Sequence, residues 1–273
     1  FDMPSWNIHI AQTERLIARG GAVARAVRDR NAFLFGNLVP DIMVGYMVPG
    51  VEEPIAYRTT HFAAPEFIPK PREREFWDDY VAPAWGRLDE ADRTCAIVHP
   101  GSIARERERI DRIHFPQRFE DAGEPDRPGP DGAAETGPAR TAFDLTLGAW
   151  AHLLADNLWN TRVNEHLDAN GIRPSREFRI KKQGDFDGFG KMFPLDSIPR
   201  ETGALRRAAA GFAQYPIPEG LVHDAIVVAH ETVRTNGVAE HAPYQLLTEG
   251  FFTVTFAEVL DEADRAVAER LGF

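Results

Sequence analysis

A single cysteine, Cys95, stands in 273 residues. One thiol cannot close an intramolecular disulfide, and it excludes every multi-cysteine zinc site. Positive charge is also short: 31 Lys and Arg face 42 Asp and Glu, for a net charge of -11. That balance argues against general binding to nucleic acid or to anionic lipid headgroups. No apolar run approaches the roughly 20 residues of a membrane span. The opening stretch FDMPSWNIHIAQ has neither the basic nor the apolar segment of a secretion signal, so the compartment expected is the cytoplasm. Alternation of period two is scarce, and repeats are lacking. So are a P-loop, a dinucleotide fingerprint and a G-x-S-x-G elbow.

What remains is helical. Hydrophobic residues make up 43% and charged residues 27%, the balance of an ordinary globule. The expected fold is a single all-α domain over residues 3–273. Ser5 offers an N-cap to a helix over Trp6 to Ala18, which Gly20 stops. A second helix is expected over 21–34. The apolar stretch 33–50, punctuated by Gly36, Pro40, Gly45 and Pro49, reads as a buried helix end followed by loop. A short helix fits 71–80, and 104–113 is a charged helix with a solvated face. Residues 115–141 hold five prolines and four glycines and little to bury, so a flexible loop or flap is expected there.

The longest periodic segment is 141–168, with Gly148 as its weak point and Gly171 and Pro174 beyond its end. Glycine-rich 178–200 reads as loop, with a short hairpin near 176–193 as its alternative. Helices are expected over 201–214, 219–235 and about 244–271.

Chemistry enters where polar residues interrupt apolar helix. His152 and Asp156 lie in WAHLLADNLW at i, i+4, one turn apart on one face. An ionised Asp among leucines and tryptophans is costly to bury without a cation. A metal ion bound by imidazole and carboxylate satisfies both side chains; so does a His–Asp hydrogen bond exposed at a groove. His9 in WNIHIA, Asp41 in FGNLVPDIM and His61 in TTHFA are further metal-competent side chains in core-like surroundings. Three histidines and two aspartates are the nitrogen and oxygen mix that zinc prefers. They suffice for one complete site or two partial ones.

Four motifs occur in order: MPSWNIHIA, FLFGNLVPDI, THFA and LGAWAHLLADNLWN. Together, over residues 3 to about 160, they resemble the zinc-dependent phospholipase C family, whose all-helical fold is shared with the P1-type nucleases. The resemblance implies that His9, Asp41, His61, His152 and Asp156 line one metal cluster. It gives Asp156 the role of bridging two ions, and Asp41 that of ligand or base beside the attacking water. Secreted members also use the amino group of an N-terminal Trp, whereas Trp6 here is internal. They complete a third zinc with a further His and a His-x-x-x-Glu pair, which this chain lacks. His166 lies 14 residues past His152, about 21 Å along a helix, too far to share its ion. One or two zinc ions are therefore expected, not three.

The function this implies is metal-dependent hydrolysis of a small-molecule or lipid-derived phosphoester. No nucleic-acid duplex and no stable membrane anchor are expected as partners. Lys181 and Lys182, beside a tight turn at GDFDGFG (184–190), are candidate phosphate contacts at the site mouth. Two alternatives stand beside this: a binding module with a vestigial or structural metal site, and an HD-type phosphohydrolase using His223 and Asp224. His230-Glu231 lacks the second histidine of an H-E-x-x-H string, since Arg234 stands there.

Overall fold

A computed structural model gives the fold and describes residues 5–64, 68–115, 117 and 136–273. Most of the 115–141 segment lies outside the described residues. Helix α1 (Trp6–Arg19) follows Ser5, whose hydroxyl bonds the Asn7 side chain rather than capping a backbone amide, and ends on Gly20 in the left-handed region (φ 65°), as its glycine directs. The helix expected over 21–34 is instead two, α2 (Ala22–Ala26) and α3 (Arg30–Gly36). Asp29 divides them, because its side chain caps α3 by accepting from the Ala32 amide at 2.9 Å. The break is also pinned from outside, by Arg30 N–H donating to the Val98 carbonyl and Val98 N–H to that of Arg28, each at 2.8 Å.

Short helices follow: α4 (Val39–Ile42), α5 (Tyr57–Thr60) and α6 (Glu73–Phe76). A π-helical turn, Trp77–Val81, joins α6 to α7 (Ala82–Gly86), so the helix expected over 71–80 runs further than its sequence indicates. Next come α8 (Glu90–Thr94), strand β1 (Gly101–Ser102) and α9 (Ile103–His114). Helix α10 (Pro138–Asn170) has 33 residues and spans about 50 Å. Pro138 starts it in place of Thr141, and Gly171 closes it in the left-handed region.

Residues 178–191 correct the sequence reading. They are neither loop nor hairpin but most of α11 (Arg176–Lys191), capped by Ser175 at the Phe178 amide. Glycine disfavours a helix, yet Phe178, Phe186 and Phe189 bury one face of it, and packing outweighs propensity. Gly190 is there for space: a Cβ would come within 2.3 Å of the Asn7 side chain on α1. Asp185, within GDFDGFG, is helical rather than in a tight turn; its carboxylate accepts from the amides of Gln245, Leu246 and Leu247. The only paired strands among the described residues are β1 and β2 (Ser197–Ile198), antiparallel, with Gly101 opposite Ile198. Helices α12 (Gly203–Ala210), α13 (Glu219–Thr235) and α14 (Glu249–Leu271) complete the chain.

Buried apolar side chains from α1 to α14 form one continuous cluster around α10. The closest approach is between α3 and α10. A Cβ on Gly36 would lie 2.1 Å from the Leu145 carbonyl oxygen, and one on Gly148 would lie 2.2 Å from that of Phe33. Only glycine lets these backbones touch. Gly148 weakens the helix as a polymer but fixes where α3 meets it, one turn before His152. Among the described residues no helix is long and apolar enough to cross a membrane.

Candidate metal centre

The five side chains singled out in the sequence meet beside that helix crossing. Helix α1 supplies His9, α4 supplies Asp41, the end of α5 supplies His61, and α10 supplies His152 and Asp156. The rings of His9 and His152 stack, with centroids 3.9 Å apart, and those of His61 and His152 meet edge to face at 5.2 Å. The His152 Nε2 lies 3.1 Å from Asp156 Oδ2 and 3.3 Å from His61 Nε2. The His61 Nε2 lies 3.6 Å from Asp156 Oδ2 and 3.4 Å from Asp41 Oδ1. On the other side of the same carboxylate, His9 Nε2 is 3.4 Å from Asp156 Oδ1.

These spacings have a geometric meaning. Ligand bonds of about 2.0–2.1 Å in a tetrahedron put neighbouring donor atoms about 3.3–3.4 Å apart. The His152–Asp156, His152–His61, His61–Asp41 and His61–Asp156 contacts cluster around that separation. Two overlapping groups result, His9–His152–Asp156 and Asp41–His61–His152, with donor atoms in each within 4.8 Å of one another. Both can hold a metal ion.

Partners outside the cluster aim the rings inward. The Asn37 carbonyl, which can only accept, lies 2.8 Å from His152 Nδ1 and so takes its N–H. The Thr60 hydroxyl donates to the Tyr57 carbonyl and is left to accept from His61 Nδ1 at 2.9 Å. In each neutral ring the Nε2 lone pair therefore faces the centre. Tyr57 stacks on His61 at 3.8 Å, and the residue after it, Phe62, sits at φ 50°, a strained value for an aromatic side chain. The Trp6 indole N–H donates to Asp41 Oδ2 at 3.0 Å.

The three histidines and Asp156 are fully buried, and Asp41 alone reaches solvent, with 14% of its side chain exposed. Neither nitrogen of His9 and neither oxygen of Asp156 has a hydrogen-bond partner. Leaving four such buried atoms unsatisfied is costly. In the metal-free protein a proton takes part of the cation's place. Burial opposes charge on His152, but the Asp156 carboxylate overrides it and raises the imidazole to about 9. Burial likewise opposes the Asp156 charge; His152, then His9, hold its carboxyl well below the usual range. Asp41 is held low despite burial by its bond to His61 and by the nearby imidazoles. Burial and the neighbouring His152 push His9 down. The Tyr215 hydroxyl, which donates to the Val39 carbonyl at 3.4 Å, is pushed far above its ordinary value by burial and by the Asp41 charge.

Other candidates fall outside this centre. The loop meant to present Lys181 and Lys182 is helix α11: Lys181 pairs with Glu177 on the surface, and Lys182 is buried. His223 is 61% exposed and binds Glu201 at 2.9 Å. Among the described residues, neither it nor Asp224 belongs to a metal-competent group. His230 pairs with Glu106. Trp6, Asn37 and Thr60, the residues that orient the ligands, escaped the sequence reading. All three lie inside the quoted motifs MPSWNIHIA, FLFGNLVPDI and THFA, but nothing in spacing shows which backbone, ring or carboxylate they meet. Comparison of the chain with family models, with curated proteins and with solved structures finds no match.

Proposed function

We propose that the chain is a zinc-dependent hydrolase of phosphoesters, of the class formed by the zinc phospholipases C and P1-type nucleases. One observation carries this: a buried carboxylate and a buried imidazole without hydrogen-bond partners, among donor atoms spaced for a tetrahedral cation. Three imidazoles and two carboxylates suit zinc better than magnesium or calcium, which take oxygen ligands. With neutral histidines the two carboxylates carry two negative charges. One divalent ion neutralises them, and a second leaves positive charge for a phosphoryl group.

When bound, zinc supplies Lewis acidity, lowering the pKa of a water and polarising a phosphoryl oxygen. The side chains do the rest. Asp156 turns Oδ2 toward His61 and His152 and Oδ1 toward His9, the arrangement of a bridging ligand. His9 Nε2 and Asp156 Oδ1 would be the ligands for a second ion. Asp41, alone in touching solvent, would receive the substrate side of the site and orient or deprotonate the attacking water. A soluble phosphodiester or phosphomonoester meets that edge as well as a lipid-derived one does.

Elemental analysis of purified protein, wild type against His152→Ala, tests this together with a screen of generic phosphoesters. One or two zinc ions per wild-type chain, near zero in the variant, and hydrolysis by the wild type are expected. Wild-type protein that neither carries zinc nor takes it up would overturn the proposal. Full burial of four of the five ligands favours a second reading, a structural metal site. Under it zinc is retained, no ester is cleaved, and added phosphate leaves the spectrum of the cobalt-substituted protein unchanged, because no exchangeable position exists.

A further inference from the structure

We infer that Trp6 is a positioning residue that holds Asp41 to a single ligating oxygen, and so keeps a coordination position free for water. The inference rests on the metal-centre reading above. Asp41 is the one candidate ligand with a solvent-exposed edge, and thus the one whose carboxylate is free to turn. Trp6 is fully buried, and its indole N–H, fixed by the core, donates to Oδ2 at 3.0 Å. That leaves Oδ1 facing His61 Nε2 at 3.4 Å. An indole suits the task because it donates one hydrogen bond and carries no charge. A Lys or Arg there would neutralise the carboxylate and compete with the ion. Without the indole, both oxygens are free to chelate, and the second fills the place a water would take.

Trp6→Phe removes the N–H and keeps an aromatic ring in the core. Trp150→Phe is the matched control: it is equally buried, and its indole N–H has no hydrogen-bond partner. Cobalt is the probe, since its visible absorption weakens as coordination number rises. Trp6→Phe is expected to weaken cobalt affinity about tenfold, the usual cost of losing a partner behind a ligand, and to lower the visible absorption per bound ion. Trp150→Phe is expected to match the wild type in both. A Trp6→Phe spectrum identical to that of Trp150→Phe, even with weakened affinity, would overturn the inference while leaving the metal centre standing. Wild-type protein that binds no cobalt would remove the centre itself and this inference with it.

Should Trp6→Phe fail to fold, Asp41→Asn against Asp41→Ala decides. Asparagine has one carbonyl oxygen, which either accepts from Trp6 or ligates. If the indole claims an oxygen, the Asn variant binds cobalt no more than about threefold better than the Ala variant, short of the effect of one ligand-orienting partner. An Asn variant that binds far better than the Ala variant shows that the indole makes no such claim.

Discussion

Helix α10 carries two buried clusters of charge, and they are finished differently. Near its start, Asp144 accepts from Arg140 Nε at 2.7 Å and from the amides of Asp29 and Arg28 at 2.6 and 3.2 Å. Arg140 also donates to the Ala26 carbonyl. Asp29 accepts from the Thr136 and Thr141 hydroxyls at 2.9 and 3.0 Å, and from Ala32 N–H. Each carboxylate there has protein donors. Two turns beyond Asp144, His152 and Asp156 open the second cluster, where Asp156 has only imidazole nitrogens within reach and neither nitrogen of His9 has a hydrogen-bond partner. A protein that closes one buried ionic network with its own groups is able to close another. Where it does not, the donor atoms are grouped so that they could hold a cation.

The largest effect that separates the clusters falls on the first. Asp144→Ala strands the buried Arg140 guanidinium and should cost about 3–5 kcal/mol, as breaking a buried pair does. Denaturant unfolding measures that loss, and zinc per folded chain should stay at the wild-type value. A fall in zinc content at full folding would show that the clusters are not independent. Gly148→Ala comes next. Its methyl meets the Phe33 carbonyl and the Asn37 amide, so about 1–3 kcal/mol of stability should go, as in overpacked cores. The Asn37 carbonyl shifts with them, and zinc affinity should fall as well, by calorimetric titration. Stability lost with affinity intact would uncouple the crossing from the centre.

The remaining effect is in pH. In metal-free protein the His152 pKa rises from 6.5 to about 9. The stability this lends is full below pH 6.5 and disappears as pH climbs through about 9. That same proton must leave before an ion binds. The gap in Tm between zinc-loaded and metal-free protein should therefore widen from pH 6.5 to 9, by up to about 1.4 kcal/mol of binding per pH unit. Scanning calorimetry at three pH values reads it, and a constant gap would return His152 to the closed kind of cluster.

Legibility in the sequence followed the same division. His9, Asp41, His61, His152 and Asp156 stood out because each interrupts an apolar pattern, and patterns are local. The longest helix and α13 were visible from their periodicity. Helix α11 was not, because three glycines speak locally for loop while Phe178, Phe186 and Phe189 are rewarded only by distant partners. The division at Asp29 was hidden in the same way: an Asp between Arg28 and Arg30 gives no sign of a break until the chain around Val98 arrives to pair with it. Trp6, Asn37 and Thr60 lie within the motifs, but their task of orienting ligands gave no signal, since it depends on partners that only the folded chain brings near.

The left-handed backbone at Phe62 adds a mechanical consequence. A conformation of this kind costs of order 1–3 kcal/mol in a residue with a Cβ, and here its ring is wedged against Phe76 and Tyr80 under the Arg72 guanidinium. The short arm delivering His61 thus behaves as a latch under tension, pinned at its hinge by aromatic packing and at its tip by the imidazole. Freed at the tip, it gains by springing open, so if a cation is held there its departure should loosen residues 57–63 before any helix of the core.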